Sequence, residues 1–574
     1  MGRNFKFDPF AEKAGLLTLD LLGLYWEEFS QEPFNQECLS GYGATSKLVA
    51  SDNPTDRLWL VTLSAPRSGS SSMRTMTATE IEILKKCYLL RMYLSSSTKK
   101  PTKEERKYIE QIQDSEWATL KFLQTYKNKI PVPKPLAFCE PSEEDHGDVK
   151  VTTGDGTKRI LAYTLMEVAG DGSQVSVLDE AIFVRLGEND DVGRLNPRLE
   201  SLLESIAGYQ EELLRISTGS EAIRNLGGIP GIGSIMIVGN PEDVSSTDRV
   251  EKKLQFFLGP PLALPTANVS LRGGLRDEYY ERAVKYKPYT TAEDWIRDRL
   301  LRTIKDLDRQ LEYIRNSSEP YHKAQYVHIL PRIEFARDIN RLLDTGMNLS
   351  HSPPTTPVFD RTTFRKGDDL CDDPVTVLQP YGRWGDGTLL VRDDDEGKIK
   401  VVCVINWYCA SFVPFWRIFS TLGFLEGPEL KHEHDKDSEL RLSELRRLRE
   451  SVKHSLGEGA EYDEDYICYR LKQEYRKARM RVAYSRLIKT RFPSHFARHN
   501  ANCEDVVKSD FDIAVSICER SIFGLTTSPA IRDGIDDWLR ATPETLANRR
   551  MPTVSLDWWM LSWQIMQESP PPSP

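Results

Sequence analysis

No stretch of the 574-residue sequence is apolar for long enough to span a bilayer; the longest such run, Val401–Trp416, is interrupted by Asn406, Ser411 and Pro414. The opening MGRNFKFDPF has no apolar signal core, and Lys6 stands where a myristoylation motif wants Ser or Thr. Nine cysteines are scattered without a C-x-x-C pair, which excludes a zinc ribbon and a disulfide framework and predicts reduced thiols. A basic surplus is missing too. The net charge of −10 argues against general nucleic-acid binding, which needs cationic surface against phosphates. No Walker-type G-x-x-x-x-G-K-[ST] occurs, GGIPGIG at 227–233 does not satisfy G-x-G-x-x-G, and nothing repeats. These absences predict a soluble, cytoplasmic protein with no membrane partner.

What is present suits a sizeable core: 39% of the residues are hydrophobic, and the length accommodates one large two-lobed domain with additions, or two to three ordinary ones. Residues 15–30 form a dense leucine stripe ending at Trp26, predicting a helix packed on a lobe. Gly41 and Gly43 precede a strand beginning near Ser46; without β-carbons they could approach phosphates, although a plain hairpin turn explains them as well. Leu58–Leu63 and Tyr88–Leu94 read as strands, 95–113 as a polar insertion, and 115–138 as a helix capped by Ser115 and stopped by Pro131 and Pro133, then a strand. ILAYTLMEVAG at 160–170 is a strand.

Helical periodicity dominates afterwards, at 201–217, at 288–314 with a Thr290–Glu293 capping box, at 331–343, at 437–457 and at 462–491. Loops are expected at Gly227–Gly233 and Gly259–Pro261, and a surface link at 349–375. Residues 470–491 hold nine basic residues, read either as a solvated face or as a dock for an anionic partner. His432-Glu433-His434 lies in a charged stretch with no third metal ligand in view. Trp538, Trp558, Trp559 and Trp563 suit a terminal helix pinned to a core.

The chemistry converges on 376–416. Two apolar runs, Leu389–Val391 and Val401–Ile405, flank the turn-prone Asp393–Gly397 and predict a hairpin with a loop at each end. The phrasing resembles the core of the fungal aminoglycoside phosphotransferase-like family, small-molecule kinases with a protein-kinase-like fold. That family reads His-Gly-Asp-Leu-x-x-x-Asn, a strand, a turn, and Ile-Ile-Asp-Trp-Glu-x-Ala before a Pro. With Leu389-Leu390-Val391 on the first strand and Ile405 to Ala410 with Pro414 on the second, Tyr381 stands in place of the His. Arg383 replaces the catalytic Asp, Thr388 the metal-binding Asn, and Asn406 the metal-binding Asp.

The resemblance extends over residues 36–425. It places Arg91 as the strand residue that touches nucleotide phosphates, Glu116 as the acid that pairs with it, and Met166–Val168 at the hinge facing an adenine. It implies an α+β, two-lobed protein-kinase-like fold. A small, mainly antiparallel lobe spans 36–168 and a larger helical lobe 169–425, after an N-terminal helical segment at 1–35. A helical extension at 426–566 and a tail at 567–574 follow.

Phosphoryl transfer needs a carboxylate to orient the attacking hydroxyl and anionic oxygens to hold magnesium. Arg383 cannot accept a proton, and Thr388 and Asn406 offer only neutral oxygens. Sliding the register onto Asp386 fails, because the position five residues later is Val391. The expectation is a catalytically degenerate protein, a pseudokinase without catalytic residues or a metal site. Its ligand would be a nucleotide such as ATP, bound without secure magnesium ligands, a small metabolite, or a protein partner. The alternative is an active ATP-dependent phosphotransferase on a small hydroxylated metabolite that uses displaced acids, Asp386 or Asp393-Asp394-Asp395.

Overall fold

The structure is a computed structural model. It describes residues 43–49, 56–64, 87–94, 101–126, 129–139, 150–153, 156–168, 175–178, 197–219, 226, 231–237, 256–262, 287–316, 376–381, 384, 388–393, 398–420, 422–425 and 464–496, with short pieces of 333–341 and 508–516. The expectations for 1–35, Gly41, Arg383, Asp386, Asp394, Asp395, 349–375, 432–434, 437–457, the four C-terminal tryptophans and the tail lie outside the described residues. The fold is mixed α+β with antiparallel sheets, and the chain divides into two compact units. Among the described residues no helix is long and apolar enough to cross a membrane.

The first unit takes in 1–189, 196–289 and 376–413. Its largest sheet comprises β1 (Gly43–Val49), β2 (Asp56–Ser64), β3 (Cys87–Leu94), β4 (Lys134–Cys139), β5 (Lys150–Thr153) and β6 (Gly156–Val168), in the order β1-β2-β3-β6-β4 with β5 on β6. Every one of these pairings is antiparallel. β3 is central, and Tyr88, Leu89, Leu90 and Met92 are all buried, which is why CYLLRMYL reads as continuous apolarity without alternation.

Against this sheet lies α1 (Lys103–Thr125), whose Thr102 hydroxyl accepts from Glu105 N at 3.2 Å. The reading of 95–113 as an insertion is therefore corrected over 103–113, and Ser115 is no cap but a buried mid-helix residue. Tyr108, Ile109 and Ile112 begin a broad buried face that continues through Glu116, Leu120 and Leu123. Several buried positions, Glu105, Gln113 and Glu116 among them, are polar, which masks that face in a compositional reading. Glu104 and Glu105 in the first turn suit the positive end of the helix.

The remainder of this unit is less helical than its sequence suggests. α2 (Pro197–Thr218) covers the expected 201–217 helix, but two small sheets accompany it. One joins β7 (Ser176–Val177), β11 (Leu389–Asp393) and β12 (Ile399–Val404) in the order β12-β11-β7; the predicted hairpin is β11–β12. The other runs β10 (Thr376–Gln379), β13 (Ser411–Pro414), β8 (Gly233–Ile237), β9 (Phe256–Leu258). Strands of two to five residues are too short to display a period of two, so periodicity misses them.

The second unit takes in 190–195, 290–375 and 414–574. It contains α3 (Ala292–Asn316), two 3-10 turns (Phe415–Phe419 and Gly423–Leu425) and α4 (Glu464–Arg491). Thr291, one residue later than expected, caps α3: its hydroxyl accepts from Asp294 N at 3.1 Å and donates to Asp294 Oδ2 at 2.7 Å. The sequence Thr-Thr-Ala-Glu-Asp permits either offset, and the chain takes the second. Asp512 is buried and accepts from Arg299 Nη1 at 2.6 Å, from Arg417, and from Trp416 Nε1 at 3.3 Å. Both guanidiniums lie over the Trp295 ring, at 4.4 and 5.1 Å.

Candidate functional site

Arg91 sits on β3, the most buried strand of the large sheet, and its side chain is wholly enclosed. Its Nε donates to Glu116 Oε1 at 3.1 Å, and its Nη2 donates to Asn406 Oδ1 at 3.0 Å. The guanidinium also lies over the Tyr408 ring, 4.0 Å from the centroid. Three distant segments thus meet on one cation: β3, α1 and the loop after β12. Enclosure of a charge is tolerable only when it is paired and hydrogen-bonded, and Glu116, itself buried, supplies the opposite charge.

Tyr93 OH donates to the other Glu116 oxygen, Oε2, at 3.0 Å. Burial first, and the Glu116 charge second, raise the Tyr93 phenol well above its ordinary pKa, so it remains a donor. Arg91 and Tyr93, two residues apart on a strand, share a face. That spacing is available in the sequence, yet neither Tyr93 nor Tyr408 stands out there as a site residue, whereas Tyr381 does only as the replacement for the His. Tyr381 packs its ring on Tyr408 at a centroid distance of 5.1 Å. Behind them Tyr93, Tyr108, Ile109, Ile112, Tyr408 and Cys409 belong to one buried apolar cluster.

The ends of the β11–β12 hairpin are tied by backbone hydrogen bonds. Ile405 N donates to Thr388 O at 2.7 Å and Tyr381 N to Asn406 O at 3.0 Å, so the loop before β11 and the loop after β12 are held together. Asn406 has φ 69°, in the left-handed region, which Asn tolerates better than most residues because its short amide bonds locally. Trp384 (φ 60°) and Cys409 (φ 54°) are also left-handed, and Trp384 is held by its Nε1 donating to Gln379 Oε1 at 3.1 Å. Three such residues around one hairpin indicate a backbone shaped by its surroundings.

Thr388 is buried, and its hydroxyl oxygen has no hydrogen-bond partner among the described residues. It is not brought to the Arg91–Glu116–Asn406 cluster by any of these contacts. Gly43 opens β1, opposite Ser64. Met166 is paired on both sides of β6, with Leu89 and with Pro135, whereas Val168 is paired only with Cys87. Asp393, a displaced acid of the alternative reading, is two-thirds exposed and ion-paired with Arg198.

Among the described residues no group of three His, Cys, Asp or Glu side chains is arranged to hold a metal ion. The residues on hand fit magnesium poorly. Asn406 Oδ1 is neutral and already accepts from a guanidinium, and a dication at that oxygen would stand beside a fixed positive charge. Glu116 is the acid in the cluster, and both of its oxygens are engaged, by Arg91 and by Tyr93. Comparison with known proteins returns no family model that matches the chain, and no curated protein or solved structure that matches it.

Proposed function

We propose that the chain is a catalytically degenerate phosphotransferase-like protein, with a two-lobed protein-kinase-like fold, that acts by binding a regulatory partner rather than by transferring phosphate. The observation that carries this reading is the Arg91 bridge between the Glu116 carboxylate and the Asn406 amide. In the register of the resemblance, Asn406 holds the position of a metal-binding Asp, and the oxygen that would face magnesium faces a guanidinium instead. The same bridge argues against a phosphate cradle, since Arg91 would have to leave two hydrogen bonds and the Tyr408 ring to reach a nucleotide.

Thermal-shift titration with ATP, with and without magnesium, tests the reading. The expected result is no magnesium-dependent stabilisation and no ATP turnover. Stabilisation that requires magnesium, accompanied by turnover, would establish the active phosphotransferase instead.

A further inference from the structure

Polar atoms sealed inside a protein are almost always hydrogen-bonded, and a hydroxyl within a helix has a partner ready to hand in the carbonyl four residues earlier. Thr125, Ser205, Thr218, Thr303, Thr490 and Ser516 all donate to that carbonyl, at 2.8 to 2.9 Å. Ser115 and Thr119, both wholly buried in α1, do not, and neither hydroxyl has another partner among the described residues. The side-chain oxygen of Gln111, one turn earlier, is enclosed and unpartnered in the same way.

The three positions recur every four residues, so they follow one another along one side of the helix. That side meets the sheet of β10, β13, β8 and β9, since α1 packs on β8. Tyr108, Ser115 and Phe122 stand in one row, seven residues apart. Met236 of β8 packs against the apolar cluster that holds Tyr108, and the Phe122 ring meets Phe256 of β9 at 5.6 Å and Phe412 of β13 at 6.4 Å. Ser115 therefore lies between two apolar contacts with the same sheet, with Gln111 and Thr119 one turn to either side.

We propose that Gln111, Ser115 and Thr119 hold a file of two ordered water molecules in the contact between α1 and that sheet. Successive positions rise about 6 Å along the helix, the span of one water hydrogen-bonded on both sides at about 2.8 Å. The donors run in one direction. Thr119 donates to the inner water, which donates to Ser115 Oγ; Ser115 donates to the outer water, which donates to Gln111 Oε1, an acceptor alone. Each hydroxyl hydrogen of the row then has an acceptor. Enclosure of Ser115 and Thr119 restricts the occupant to something of water's size, and three neutral oxygens without a carboxylate among them would hold a cation poorly. The file gives α1, which presents Glu116 to Arg91, a second polar anchor.

Oxygen-17 and deuteron relaxation dispersion on the full chain counts long-lived internal waters. Thr119→Val, which keeps the shape of the side chain, should lose the dispersion of one water, and Ser115→Ala, which breaks both bridges, that of two. Ser205→Ala, whose hydroxyl is satisfied by the Ser201 carbonyl, is the control and should lose none. In urea, Ser115→Ala and Thr119→Val should each raise the unfolding equilibrium constant about fivefold, and the double variant by less than the product, because the two hydroxyls share a water. Unchanged dispersion in Ser115→Ala and Thr119→Val would overturn the proposal. So would a Thr119→Val chain at least as stable as the wild type, the mark of a hydroxyl buried dry.

Discussion

Arg91 and Asn406, 315 residues apart in sequence, are joined by a 3.0 Å hydrogen bond from Nη2 to Oδ1. The bond ties the central strand of the large sheet to the loop that follows β12.

The Arg91–Glu116 pair is buried on both sides, so removing one partner should cost far more than the pair contributes net. Glu116→Ala leaves an enclosed guanidinium without its counter-charge and should lower unfolding free energy by about 3–5 kcal/mol. The double variant Arg91→Met/Glu116→Leu should cost much less than the two single changes added together. Urea denaturation of Arg91→Met, Glu116→Leu and the double variant gives the coupling directly.

Alkaline stability should report Tyr93. Its phenol pKa is raised in the folded protein, so its contribution is complete below the ordinary Tyr value of about 10 and is lost as pH rises from there through the folded value. Tyr209, pushed up to about 12 chiefly by burial, acts in the same direction. Tyr93→Phe should flatten the loss of stability above about pH 10 while costing about 1–2 kcal/mol at neutral pH, because a donor to Glu116 is gone. Thermal melts between neutral pH and pH 11 check both statements.

Gly233 should tolerate no side chain. A β-carbon there would stand 2.1 Å from Gly259 O, and the approach is fixed by Gly259 N donating to Ser234 O at 2.8 Å. Gly233→Ala should destabilise the first unit by about 1–3 kcal/mol by forcing β8 and β9 apart. Gly208→Ala, where a β-carbon meets nothing within 4 Å, is the matched control and should be neutral or stabilising.

Asp512 organises the second unit as Glu116 does the first. Asp512→Ala removes the acceptor shared by Arg299, Arg417 and Trp416, and should cost about 3–5 kcal/mol. Differential scanning calorimetry should show the loss in the transition of the second unit.

How much of this was legible in the sequence follows from which interactions are local. β3, β6, α2 and the β11–β12 hairpin announce themselves because each is a long apolar run or a clear helical period within a single window. β7, β8, β9, β10 and β13 do not, because their strands are short and their partners distant; Ser411 pairs with Ser234, 177 residues away. Gly233, the last glycine of GGIPGIG and readable only as part of a loop, owes its place to the backbone of Gly259, which no local pattern contains. At the site, the segments holding Arg91, Glu116 and Asn406 were readable from the order of motifs, whereas the direct contact between Arg91 and Asn406 was not. That contact depends on two side chains being long enough to meet once their segments are assembled.

The central claim, that the hairpin site no longer holds a catalytic metal, is tested most directly by titrating the wild-type chain with manganese in the presence of ATP and following water-proton relaxation. The triple variant Arg383→Asp/Thr388→Asn/Asn406→Asp serves as the comparison. No protein-bound manganese on the wild type, and a saturable site on the triple variant, is the predicted result. A saturable manganese–ATP site on the wild-type chain, lost on substituting Asn406→Ala, would contradict it.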